Sequence, residues 1–228
     1  MKKQLLTLVA ICAITIGANA QTEKGDNLIG GSIGFSHNKQ EPLNSTNTFS
    51  TGNSKSYNIA PRFGHFFGKN LALGLQIGYG GNKAESQSTY FLGSGSPQFI
   101  NSVSKSHSFN VVPYLRYYVD IVDKFKFFGQ ANVGMAFGKS TYNLMLSGNY
   151  VTETTHYKNT NYQASIDPGF AFFPTKKWAV ELSFPLLAYS KQNIKDDGVN
   201  LNSQALSNET FIFGFSSFTP GIGVNLHF

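Results

Sequence analysis

The sequence predicts an all-β fold, an eight-stranded antiparallel up-and-down transmembrane β-barrel, and three observations carry that expectation. Apolar and aromatic residues alternate with small polar ones at a period of two through eight segments, the pattern of strands with two unlike faces. Four of these segments carry a proline at matching places, Pro61, Pro113, Pro168 and Pro220, spaced 52, 55 and 52 residues apart, which marks a repeated supersecondary unit. The connections between segments alternate between short turns and long stretches rich in Ser, Thr, Asn and Gly.

The first element is not part of the barrel. "MKKQLLTLVAICAITIGANAQ" has two lysines, an apolar run from Leu5 to Ile16 and the small-residue stretch Ala18, Asn19 and Ala20, the layout of a secretory signal. Cleavage is expected before Gln21, giving a signal peptide over 1–20 and a barrel domain over 21–228. The apolar run is too short for the roughly 20 residues that span a bilayer as a helix. Cys12 lies inside that run and follows Ile11, where a lipidated cysteine needs a small residue before it, so a lipoprotein anchor is not expected. Its removal leaves no cysteine, which excludes a disulfide framework and thiolate metal sites from the mature chain.

The strands follow in order: "LIGGSIGFS" (28–36), "SYNIAPRFGHFFG" (56–68), "LALGLQIGYG" (71–80), "FNVVPYLRYYVDI" (109–121), "FKFFGQANVGMAFG" (125–138), "YQASIDPGFAFFP" (162–174), "WAVELSFPLLAYS" (178–190) and a last segment ending in "SFTPGIGVNLHF" (217–228). Short turns are expected at 68–70, 122–124 and 175–177. Long polar loops are expected at 38–55, 82–106, 139–160 and 191–208. This asymmetry, with an even strand number, is the signature of an outer-membrane barrel. A soluble barrel would carry charges on its polar face, whereas here that face is Gly, Ala, Ser, Gln and Asn, and only 13% of the chain is charged. Phe66, Phe67, Tyr79, Tyr117, Tyr118, Phe172, Phe173, Trp178 and Tyr189 stand at strand ends, where aromatic girdles belong.

Two irregularities are also readable. A proline cannot donate to a ladder, so each repeat proline is expected at or beside a ladder irregularity near the short-turn end. In the last segment Phe211, Phe213 and Phe215 share one parity while Phe218, Pro220, Ile222, Val224, Leu226 and Phe228 hold the other. A bulge near Ser216 and Ser217 is expected to reconcile them.

With these strands placed, residues 21–228 resemble the small outer-membrane β-barrel superfamily of opacity-type and outer-membrane protein X-like proteins. The terminal "GIGVNLHF" is similar to the signal read by the barrel-assembly machinery, with Gly223, Leu226 and Phe228 filling its places. The resemblance implies location in the outer membrane of a Gram-negative cell and insertion by that machinery. It does not imply one activity, since such barrels serve as adhesins, channels, lipid-modifying enzymes and more.

Four inward charges, Arg62, Arg116, Asp167 and Glu181, fall in one slab of the lumen and are expected to form a charge network that plugs it. The alternative is a narrow channel for small solutes, for which eight strands leave little room. Catalysis is not expected: His107 and Ser108 are adjacent and so point to opposite faces, where a lipid deacylase needs both on one face. No metal or cofactor site is expected, and the acidic pair in "KDDG" (195–198) lacks the alternating ligands of a calcium loop. Scattered basic residues exclude the stripe that nucleic-acid binding needs. The charges of the long polar segments form no patch in sequence. The expected role is therefore structural or adhesive, with outer-membrane lipids and an extracellular ligand of the loops as partners.

Overall fold

The computed structural model describes residues 22–41, 50–90, 98–146, 150–197, 205–214 and 221–228. The expected signal peptide and its cleavage point lie outside these residues. The described residues form ten strands: β1 (Asn27–Gln40), β2 (Ser50–Gly68), β3 (Leu71–Tyr90), β4 (Gln98–Val122), β5 (Phe125–Leu146), β6 (Tyr150–Phe172), β7 (Trp178–Ser183), β8 (Leu187–Asp196), β9 (Ala205–Phe213) and β10 (Gly221–His227), with every neighbouring pair antiparallel. They fill eight positions of a ring, because β7 with β8 and β9 with β10 are two long strands, each broken once. Consecutive strands pair from β1 to β6, β7 pairs with β6 and β10, and β10 returns to β1. On the side of the short turns the ring is therefore closed. In the other half β8 pairs with β6, and β9 with β8.

The short turns owe their shape to single residues. Asn70 (φ 63°) and Lys124 (φ 70°) adopt the left-handed conformation, and each sits beside a one-residue register shift, at Phe66/Gly68 and Asp120/Val122. That combination is the bulged tight hairpin, and asparagine tolerates the conformation better than lysine does.

The opposite end differs from expectation. The segments read as long polar loops are largely strand: β3 runs on to Tyr90, β4 begins at Gln98, β5 reaches Leu146 and β6 begins at Tyr150. Their Ser, Thr, Asn and Tyr side chains are compatible with a pleated surface. Once the ladder is nucleated in the barrel wall, the backbone gains a hydrogen bond with each added pair, so the hairpins continue past the apolar band.

The repeat prolines interrupt the ladder without shifting it. Opposite Pro61 the β2–β3 pairs stop at Ile59↔Tyr79 and resume at Arg62↔Gln76, and opposite Pro113 the β4–β5 pairs stop at Val111↔Met135 and resume at Tyr114↔Asn132. At Pro168 the irregularity is a true bulge. Phe184 N–H donates to the Pro168 carbonyl at 2.9 Å, Pro185 donates nothing, and Leu186 N–H donates to the Ile166 carbonyl at 3.1 Å. Three residues thus span two positions of β6, and the outward parity changes from Trp178 and Val180 in β7 to Tyr189 in β8. The last strand flips the same way, from Phe211 and Phe213 to Ile222, Val224 and Phe228. The expected bulge at Ser216 and Ser217 lies outside the described residues, as does Pro220.

The outer wall is apolar: Ile29, Ile59, Phe63, Leu73, Leu75, Ile77, Leu115, Val133, Ile166 and Val180 are all exposed. The buried core lies inside the ring, in the half nearer the short turns.

Candidate functional site

The lumen is built in layers, and alternation decides which side chain enters each. The lowest layer is a strap. Residues after Thr22 cross the short-turn mouth, where Asn70 N–H donates to the Thr22 carbonyl at 2.7 Å and Gly25 N–H to the Phe66 carbonyl at 2.7 Å. Lys126 Nζ donates to Thr22 Oγ1 at 2.7 Å and to Asn70 Oδ1 at 3.1 Å, and pairs with Asp120 at 2.6 Å.

Above the strap is an apolar floor. Phe66, Tyr118, Phe128, Phe173 and His227 are buried and face one another, with ring centroids 5.2–6.5 Å apart. This corrects the assignment of strand-end aromatics to girdles. In the doublets Phe66-Phe67, Tyr117-Tyr118 and Phe172-Phe173 only one member faces out; the other closes the lumen, as a period of two requires. The parity that sorts these doublets was available in the sequence.

The charge layer rests on this floor. Glu181 accepts from Arg116 Nη1 at 2.6 Å through one carboxylate oxygen and from Arg62 Nη2 at 2.8 Å through the other. Arg116 also donates through Nε to Gln130 at 2.7 Å and through Nη1 to the Tyr118 hydroxyl at 2.9 Å, and its guanidinium stacks over Phe128 at 4.3 Å. Arg62 Nε donates to Asn225 Oδ1 at 3.0 Å. Arg116 and Glu181 are 1% and 2% exposed, so each charge depends on its partners for what water would otherwise supply.

Three of the four lumen charges singled out in the sequence thus meet. Asp167 stands apart, accepting from Asn132 Nδ2 at 2.7 Å and Ser165 Oγ at 3.1 Å. Gln130, Asn132 and Asn225 complete the layer and were not singled out, because an isolated amide in a strand carries no signal until its neighbours are known. A Cβ on Gly223 would come 2.8 Å from Arg62 Nη2, so this glycine makes room for the guanidinium. A Cβ on Gly74 would meet the Tyr114 ring at 2.2 Å, and the Tyr114 hydroxyl donates to the Phe63 carbonyl at 3.2 Å just above the charges. Leu226 is half-buried and Phe228 is exposed on the outer wall; the main chain of Phe228 exchanges two hydrogen bonds with Asn27, at 2.7 and 2.9 Å.

Above the charges the lumen opens into a vestibule of about 570 Å³, lined mainly by Ser, Asn, Gln, Thr and Gly residues and bordered at the wall by Tyr57 and His107, with no Asp, Glu, Lys or Arg among them. Ser108 lines it. His107 also borders it, but as the adjacent residue along the strand its exposed side chain points to the other face. Among the described residues no group of three His, Cys, Asp or Glu is placed to hold a metal ion.

A comparison with protein families agrees with this architecture. The family profile described as "Outer membrane protein beta-barrel domain" matches residues 6–217. Among solved structures, Ail, the attachment invasion locus protein of Yersinia pestis, is similar at 15% identity over 90% of this chain and 99% of that one, with a TM-score of 0.32. No curated protein matches.

Proposed function

Because this chain belongs to the outer membrane protein β-barrel family, we propose that it is a closed barrel of the bacterial outer membrane. It acts as a structural or surface-binding protein through the hairpins it holds outside the cell, and it neither conducts solutes nor carries out catalysis. The mature chain begins at Gln21, both termini face the periplasm, and Gly223, Leu226 and Phe228 present the segment that the assembly machinery engages. Membrane lipids surround the wall, and an extracellular ligand docks on the hairpins.

The observation that carries the closed lumen is the pair of stacked layers: the Arg62, Glu181 and Arg116 cluster and the aromatic floor beneath it. A water-filled passage would not need a carboxylate held between two guanidiniums in a site 1–2% exposed. Wild-type protein in planar bilayers is expected to show no regular conductance steps. Replacing Arg62 and Arg116 together by glutamine is expected to destabilise the barrel or to make it leak. Regular anion-selective steps from the wild type would overturn closure and promote a narrow channel instead, since two guanidiniums against one carboxylate would set that preference.

The orientation has its own test. Epitope tags near Ser50, Ser94, Asn149 and Asn200 are expected to be accessible on intact cells, and tags in the turns at 68–70 and 175–177 are not. The opposite labelling would refute the surface role.

A further inference from the structure

The lysines of the polar segments form no patch in sequence, yet the strand register gathers them. Lys55, Lys83 and Lys105 are direct cross-strand partners on β2, β3 and β4, and His37 on β1 faces Lys55 at the end of the same row. On the next three ring positions Lys139, Lys158 and Lys195 are likewise direct partners, on β5, β6 and β8. All six lysines are exposed on the outer wall.

The second row lies two residues nearer the short turns than the first, since His107, not Lys105, pairs with Lys139. That step opposes the climb of the ladder around a tilted barrel. The row through Leu71, the first residue of β3, meets β4 at Tyr117, five residues before that strand ends at Val122. Counted from the short-turn ends of their strands, Lys55, Lys83, Lys139 and Lys158 stand 12 to 14 residues up and Lys105 and Lys195 stand 17, so the six form an uneven collar over six of the eight ring positions. Immediately below it Tyr57, Tyr79, Phe109 and Phe137 are exposed on the wall, where an apolar band gives way to a headgroup layer.

Such a collar is costly by itself. Like charges directly opposite each other on neighbouring strands, with Cβ atoms about 4.5–5.5 Å apart, destabilise a sheet. Two acids offset it only in part: Glu85 contacts Lys83 and also feels the charges of Lys55 and Lys105, and Asp197 contacts Lys158 at 2.5 Å and also feels Lys139, so six lysines face two neighbouring carboxylates, and Lys55, Lys105, Lys139 and Lys195 are in no ion pair among the described residues. An anion from outside the chain would relieve the repulsion.

We infer that the collar formed by Lys55, Lys83, Lys105, Lys139, Lys158 and Lys195 binds the phosphate groups of lipid headgroups in the outer leaflet. The fit is one of charge and of place. A compact ammonium suits a phosphate as a point charge, and neighbouring lysines on adjacent strands stand close enough to share one. Basic residues beside an anionic leaflet add attraction that falls off within a Debye length, so only groups at headgroup height contribute. The inference rests on the outward orientation proposed above, which the epitope tags test separately. Lipid retention by the purified barrel does not depend on that orientation, so the two can fail independently.

The test uses the full mature chain in nanodiscs of neutral phosphatidylcholine doped with bis-phosphorylated lipid A or with the same glycolipid after dephosphorylation. Lipid retained per barrel after gentle extraction is counted by native mass spectrometry. Wild type is expected to retain the phosphorylated lipid about tenfold more than the dephosphorylated one, and K55Q/K105Q/K139Q/K195Q to reduce that preference below about twofold. K24Q/K69Q/K176Q/K177Q, which removes the same charge at the other end, is expected to keep it. The collar variant is expected to be as stable as wild type in neutral nanodiscs, or more so, which separates lost binding from lost folding. Equal retention of both lipids by wild type, undiminished preference in the collar variant, or equal loss in the control variant would each overturn the inference. Inorganic phosphate that displaced the bound lipid A completely would also overturn it, by assigning the collar to free anions.

Discussion

Glu181→Gln is expected to lower the stability of the folded barrel by about 3–5 kcal/mol, read as a shift in reversible urea unfolding in lipid vesicles. The glutamine keeps the shape and one carbonyl acceptor but removes the charge shared by Arg62 and Arg116. Arg116 would then remain buried over Phe128 with its charge answered only by Gln130 and Tyr118, and both of these are neutral. Breaking one partner out of a buried pair costs more than deleting the whole arrangement. The triple change of Glu181, Arg62 and Arg116 to Gln, Met and Met is accordingly expected to recover part of the loss. A Glu181→Gln cost below about 1 kcal/mol would mean that water reaches the layer and screens it, and closure of the lumen would fall with it.

Phe228→Ala is expected to reduce folded barrel in the outer membrane of cells severalfold while leaving the purified, refolded barrel within about 0.5 kcal/mol of wild type. The second half follows from position. The Phe228 ring is about half exposed on the outer wall, and what closes the ring there is its main chain, bonded twice to Asn27, which alanine retains. A loss confined to cells therefore reports recognition during assembly, whereas an equal loss in vitro reports barrel closure. Heat-modifiable mobility on gels measures the first quantity and denaturant unfolding the second. Wild-type amounts of folded Phe228→Ala protein in cells would remove the assembly role. Gly223→Ala is the informative contrast, because its Cβ would press on Arg62 and should weaken the barrel in both settings.

Much of the fold could be read directly. Alternation in "LALGLQIGYG" assigns Leu73, Leu75 and Ile77 to the outer wall and Ala72 to the lumen, and that is where they lie. The change of parity between Phe213 and Ile222 was visible because aromatic residues stand on both sides of it. Its counterpart at Phe184, Pro185 and Leu186 was not, since apolar residues follow one another there and any register looks satisfied. The polar hairpins were read as loops because Ser, Thr and Asn suit both states. Only pairing to a strand already held in the wall decides between them.

By itself, then, the sequence determined the period of two, the strand order, the short-turn ends and the inward placement of Arg62, Arg116, Asp167 and Glu181, because each depends on spacing along one chain. Which of those charges meet was decided by tertiary structure alone. Glu181 reaches Arg62 and Arg116 across the lumen, 119 and 65 residues away, while Asp167 is taken by Asn132 and Ser165. The collar has the same origin. Lys55, Lys83 and Lys105 lie more than twenty residues apart in sequence, and nothing local makes them neighbours. The register that sets them side by side is determined by the whole wall, because slipping one strand by a single residue would turn its apolar face into the lumen and its polar face into lipid.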